Sequence, residues 1–128
     1  MCLYTKQKEP LIAKEPIKAF KILIRDSENK LLSPYRDYDY TECVNSHCTI
    51  IDAIPKAEYN PIYYLGDSRV VNRGLHLYIN KIKAIDLAIG LDGVLFECRI
   101  PVDSYYFLSE DETEICANQF QFIKEIDI

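Results

Sequence analysis

The chain has 128 residues, room for one domain that can bury roughly two thirds of its unfolded surface. Fifteen basic against 20 acidic residues give a formal charge of −5, a poor surface for nucleic acid but a suitable one for docking on a basic partner. No apolar run approaches the roughly 20 residues that span a bilayer, and the first ten residues show no apolar segment of a secretory signal, so we expect an intracellular protein, cytoplasmic in its host. Five cysteines, an odd number, fit reduced thiols better than a disulfide framework.

Residues 1–16 read as an irregular arm anchored by Leu11, Ile12 and, just beyond it, Ile17. Lys18–Arg25 alternates as a strand, with Phe20, Ile22 and Ile24 on one face and Lys21, Leu23 and Arg25 on the other. Asp26–Lys30 is a polar turn, and Leu31–Ser33 returns as a short hairpin partner. Pro34–Glu42 is too polar for a core strand and unusually aromatic for a loop. Cys43–Ala53 reads as a strand through Thr49, Ile50 and Ile51. Pro55–Pro61 is a loop, Ile62–Leu65 a short strand or helical turn, and Gly66–Arg73 a polar connection.

Gly74–Pro101 is the organising stretch. Leu75, Leu77 and Ile79 alternate with His76 and Tyr78, so a half-buried strand is expected. Asn80 then caps a helix whose apolar stripe is Ile82, Ile85 and Ile89, and Gly90 closes it in the left-handed conformation. A second strand places Val94, Phe96, Cys98 and Ile100 opposite Leu95, Glu97 and Arg99, and Pro101 ends it. The helix is expected to cover the Leu75–Leu77–Ile79 side of a common sheet. Asp103–Leu108 continues extended, Ser109–Glu114 is an acidic loop, and the end of the chain forms a last strand through Phe120 and Phe122. The expected fold is α+β: one domain over 1–128, a mainly antiparallel sheet of about five to seven strands, one clear helix, and room for one parallel pair.

Several residue groups carry candidate chemistry. Tyr35, Arg36, Asp37, Tyr38, Asp39 and Tyr40 combine aromatic area with charge, the composition of interface hot spots, and form the expected partner-binding surface. His76, Tyr78, Glu97 and Arg99 would line a cleft if the sheet has one on that side; otherwise they form a solvated face with cross-strand pairs. Cys43, His47 and Cys48 are zinc-compatible ligands, but a structural site needs four, so no metal is assigned. Cys2 would become an N-terminal nucleophile if Met1 were removed, and is otherwise placed by chance. Glu110, Asp111, Glu112 and Glu114 lack the spacing of a calcium loop and read as a solvated turn.

The opening MCLYTKQKEPLIAKE, the segment RGLHLYINKIKA and the stretch FECRIPVDSYYF together resemble short uncharacterised proteins of phages and prophages with an MCL-x-TK start and a G-[FL]-H strand before a helix. This resemblance implies an anti-defence setting: a protein that binds and inhibits a host protein, such as a basic nucleic-acid-handling effector, in the manner of an anti-CRISPR, without a cofactor. The stretches GLHLYINKIKAIDLA and VLFECRIP and the E-x-E spacing of Glu110, Glu112 and Glu114 also resemble the ADP-ribosyltransferase superfamily. That likeness implies a transferase using NAD or another nucleotide, with a catalytic glutamate in the acidic loop and Arg25 as the first-strand arginine.

Overall fold

In the computed structural model, residues 3–34, 38–59 and 68–128 are described. The longest strand, β3 (Ile17–Arg25), is the axis of the molecule. Before it come β1 (Leu3–Thr5) and β2 (Leu11–Ile12). After it, the 26–30 turn closes on the Asp26 carboxylate, which accepts from the amides of Glu28 (2.9 Å) and Lys30 (2.8 Å). β4 (Leu31–Leu32), α1 (Thr41–Ser46), β5 (Thr49–Ile51), β6 (Glu58–Tyr59) and β7 (Arg69–Val71) follow. Then come β8 (Leu75–Tyr78), α2 (Lys81–Gly90), β9 (Val94–Ile100), β10 (Tyr105–Leu108), β11 (Glu114–Ala117) and β12 (Gln119–Ile126).

The larger sheet runs β2-β10-β11-β8-β3-β9-β12-β5, with β4 added to β3; the smaller runs β1-β7-β6. The class is α+β, and all strand pairs among the described residues are antiparallel. The parallel pair for which the strand–helix–strand unit left room does not form, because β3 lies between β8 and β9 and pairs antiparallel with both. The described residues hold twelve strands rather than five to seven; α2 is the one clear helix expected, and α1 adds a short one of 6 residues. Six of those strands have only two or three residues, too few to display a period of two in sequence. The arm is therefore partly β-structure, and Leu3 and Ala13 anchor it, whereas Leu11 and Ile12 are exposed. The strand expected over Cys43–Ala53 shrinks to β5, because α1 takes its first residues.

Both faces of the larger sheet are covered. On one, Phe20, Ile22, Tyr78 and Leu95 pack under α2; on the other, Ala19, Leu23, Leu77, Cys98, Phe120 and Phe122 pack with Tyr40, and with Cys43, Val44 and Ile50 at the margin. Hence α2 covers the Tyr78 side, not the Leu77 side. Both sides of β8 pack against apolar neighbours, so its alternation separates two packed faces rather than core from water. The smaller sheet adds a third cluster, Leu3, Val71, Phe107 and Cys116.

The start of α2 agrees with its sequence: the Asn80 side chain accepts from the Lys83 amide at 2.9 Å. Its buried face agrees only at Ile85, which packs partly buried against the cluster under the helix. Ala84 and Ala88 are fully buried, while Ile82 and Ile89 are 72% and 63% exposed. The left-handed closing residue is Asp92 (φ 53°), not Gly90, and the amides of Asp92 and Gly93 return to the carbonyls of Ile89 (3.1 Å) and Ala88 (2.8 Å). Gly93 is needed for proximity: a Cβ there would lie 2.8 Å from Ile22 Cγ2 and 3.1 Å from the Leu23 carbonyl oxygen. Small residues let the helix approach β3 closely, and larger isoleucines cannot occupy that contact. Among the described residues, no helix is long and apolar enough to cross a membrane.

Candidate functional site: a notch beside the central strand

Along one edge, β3 pairs with β9 through seven consecutive residues, Ile17 to Leu23. Along the other, it meets β8 only at Phe20↔Tyr78 and β4 only at Ile24↔Leu32 and Arg25↔Leu31. Between those contacts, residues 21–23 have no strand partner on that edge among the described residues. A cavity of about 540 Å³ opens there, lined by Lys21, Ser33, Tyr38, Tyr40, Asp52 and His76, with Ile22, Ile50, Ile51, Leu75 and Leu91 supplying apolar wall.

Lys21 is the chemical centre of the notch. It shares its face of β3 with Ala19 and Leu23, so its stem runs into the core and its ammonium ends where the ladder stops. Nζ donates to the His76 carbonyl oxygen at 2.8 Å and lies 5.7 Å and 5.8 Å from the ring centroids of Tyr40 and Phe120. It forms no ion pair among the described residues. Burial disfavours the charged amine and brings its pKa from 10.5 down to about 8.

The imidazole of His76 is wedged beside its own chain, with Nδ1 3.2 Å from the Gly74 carbonyl oxygen and Nε2 3.4 Å from that of Val71. Burial pushes its pKa down to about 4, so near neutral pH it is uncharged. Gly74 (φ 124°) carries the chain past Cys116, where a Cβ would come 2.5 Å from the sulfur. The thiol of Cys116 is pushed up to about 12 by burial, and that of Cys98 is also raised by burial, so neither is a ready thiolate.

The notch gathers parts of two groups anticipated from sequence. Tyr38 is exposed at the mouth, its ring 4.7 Å from that of Tyr40. Tyr40 is a core residue, not a surface one: its ring packs 5.5 Å from Phe122, and its hydroxyl pKa is pushed up to about 12, chiefly by burial. Asp39 is occupied in starting α1, accepting from the Thr41 amide (2.9 Å) and hydroxyl (2.6 Å), and these bonds lower its pKa. Tyr35, Arg36 and Asp37 lie outside the described residues. His76 and Tyr78 line the notch, but Glu97 and Arg99 do not. They stand on β9, two strand spacings or roughly 10 Å across the sheet from β8. Glu97 meets Lys18 at 3.7 Å instead.

The remaining candidates are engaged elsewhere. His47 Nδ1 contacts the Phe122 carbonyl oxygen at 2.9 Å, and no three His, Cys, Asp or Glu side chains among the described residues are grouped to hold a metal ion. Burial, then the Cys48 thiol, raises the pKa of Cys43; Ser46 lowers that of Cys48. Cys2 lies outside the described residues. Arg25 binds Asn29 (3.0 Å) and Glu125 (3.2 Å), whereas Glu110 accepts from Ser68 (2.6 Å) and Glu114 pairs with Lys83 (3.6 Å). Asp111 accepts from Ser109 (2.7 Å) and Thr113 (2.8 Å), which hold its pKa down at about 2. None of these residues lines the notch.

Nothing local in the sequence marks Lys21 as the centre of a cavity, although the alternation of its strand is plain. The usable signal was a lysine on a strand apolar on both faces, the mark of a central strand with a buried charge. No protein-family model matches the sequence, no curated protein is significantly similar to it, and no solved structure matches its fold.

Proposed function

We propose that this chain is a non-enzymatic interaction protein of the phage type, binding and inhibiting a host protein through the rim of the notch. The observation that carries this reading is the pair of exposed apolar side chains at the mouth, Tyr38 (59% exposed) and Ile51 (72%). Ile54, three residues along the chain, is also exposed. Such side chains give large contact area at small entropic cost. β5 ends the larger sheet and, among the described residues, pairs only with β12, so its outer edge suits an extended segment of a partner. The charge of −5 favours a basic partner, as a nucleic-acid-handling defence effector would be.

The test is capture from host lysate followed by reconstitution with the purified partner. Tyr38→Ala and Ile51→Asp should each weaken binding at least about tenfold, and Ile82→Asp, on the outer side of α2, should not. A partner indifferent to both rim changes, or no partner at all, removes this reading.

A further inference from the structure

We infer that the notch is a binding site for a small organic carboxylate with an apolar body, its carboxylate seated on the Lys21 ammonium. The inference rests on the floor of the cavity and is independent of partner docking at the rim.

An ammonium offers three donors, and among the described residues Lys21 uses one, toward the His76 carbonyl oxygen. The two aromatic rings beside it contribute cation–π attraction but accept no conventional hydrogen bond. A partly buried cation without an ion-pair partner is costly to keep, and among the described residues Lys21 has no carboxylate within pairing distance. The volume, about 540 Å³, falls within the usual range for small-molecule pockets. Ile22, Ile50, Leu75 and Leu91 form an apolar wall, suited to an aliphatic or aromatic body.

Charge counting narrows the ligand class. Among the described residues that line the notch, Lys21 is the only lysine or arginine, and Asp52 adds a carboxylate there. Lys21 can pair with one carboxylate, whereas a pyrophosphate or nucleotide would bring more negative charge beside Asp52 than that cation can offset. A carboxylate oxygen can accept a charge-assisted hydrogen bond from a donor of the Lys21 ammonium that is not used toward His76.

The pH dependence follows from the groups around Lys21. β9 presents Cys98, β11 Cys116, the 38–40 segment Tyr38 and Tyr40, β8 His76 and Tyr78, and the end of β5 Asp52. The Cys98, Cys116 and Tyr40 protons are held more firmly by burial, and His76 is already neutral above about pH 4. Lys21 itself loses its proton near pH 8. Affinity for a carboxylate should thus be level up to about pH 8 and fall about tenfold per unit above it.

The experiment is calorimetric titration of the full chain with 4-phenylbutyrate and indole-3-acetate, against 4-phenylbutanol, tryptophol and inorganic pyrophosphate. Each acid should bind at least about tenfold more tightly than its alcohol and more tightly than pyrophosphate. Lys21→Met should bind acid and alcohol alike, with an undiminished melting temperature to show that it is folded. The wild-type pH profile reads the same group without a substitution. Equal affinity for acid and alcohol, unchanged acid binding by Lys21→Met, tighter binding of pyrophosphate, a flat profile through pH 8, or no saturable acid binding at millimolar concentration would each overturn the inference.

Discussion

The two edges of β3 are built to opposite specifications. Toward β9, seven successive pairs are backed by Phe96 and Cys98 on one face and Leu95 on the other. Toward β8 and β4, pairing is confined to Phe20 in mid-strand and to Ile24 and Arg25 at the end, and an ammonium occupies the interval. The same strand therefore provides rigidity along one side and an opening along the other. The contrast shows that an interrupted ladder can leave a cavity beside a central strand, where backbone groups and a side-chain cation face a shared space.

The largest expected effect lies on the continuous side. Phe122 is fully buried on β12, its ring 5.1 Å from Phe120 and 5.5 Å from Phe96 and Tyr40. Phe122→Ala should cost about 3–5 kcal/mol in denaturant unfolding, with the m-value unchanged. A loss below about 1 kcal/mol would mean that this side is not the mechanical core.

The notch should respond with the opposite sign. The folded-state pKa of Lys21, about 8, lies below the ordinary lysine value of 10.5, so below pH 8 both states carry the proton and the burial cost is constant. Between those values the unfolded chain holds more protons, and wild-type stability should rise with pH. Lys21→Met should lack that rise and be more stable near neutral pH by up to about 3 kcal/mol. Parallel stability–pH curves for the two proteins would show that Lys21 does not titrate as a buried amine.

The smallest effect concerns the helix that bridges the two edges. Asn80→Ala removes the bond to the Lys83 amide at the start of α2 and should cost about 1 kcal/mol. Melting temperature measures it, and an unaltered value would imply that water replaces the cap.

The long strands were legible because apolar residues alternate over many positions: Ile17–Arg25 and Val94–Ile100 each carry several repeats of the period. The two- and three-residue strands left no such trace and depend on distant partners, as Leu3 depends on Val71. Asn80 was readable as a cap because capping is local chemistry. The covered face of α2 was not, since hydrophobicity selects isoleucine where distance of approach selects alanine. Of the site, Tyr38, His76 and Tyr78 were visible by residue type, but bringing them beside Lys21 required the strand order, which no local pattern encodes.

The close seat of α2 also says how a distant relative should be recognised. Ala84, Ala88 and Gly93 keep the helix against β3, whereas Ile82 and Ile89 contribute nothing to that contact. Divergence should preserve the small-residue spacing A-x3-A-x4-G while allowing polar side chains at the isoleucine positions, so a profile weighted toward bulk hydrophobicity would overlook kinship that this spacing retains.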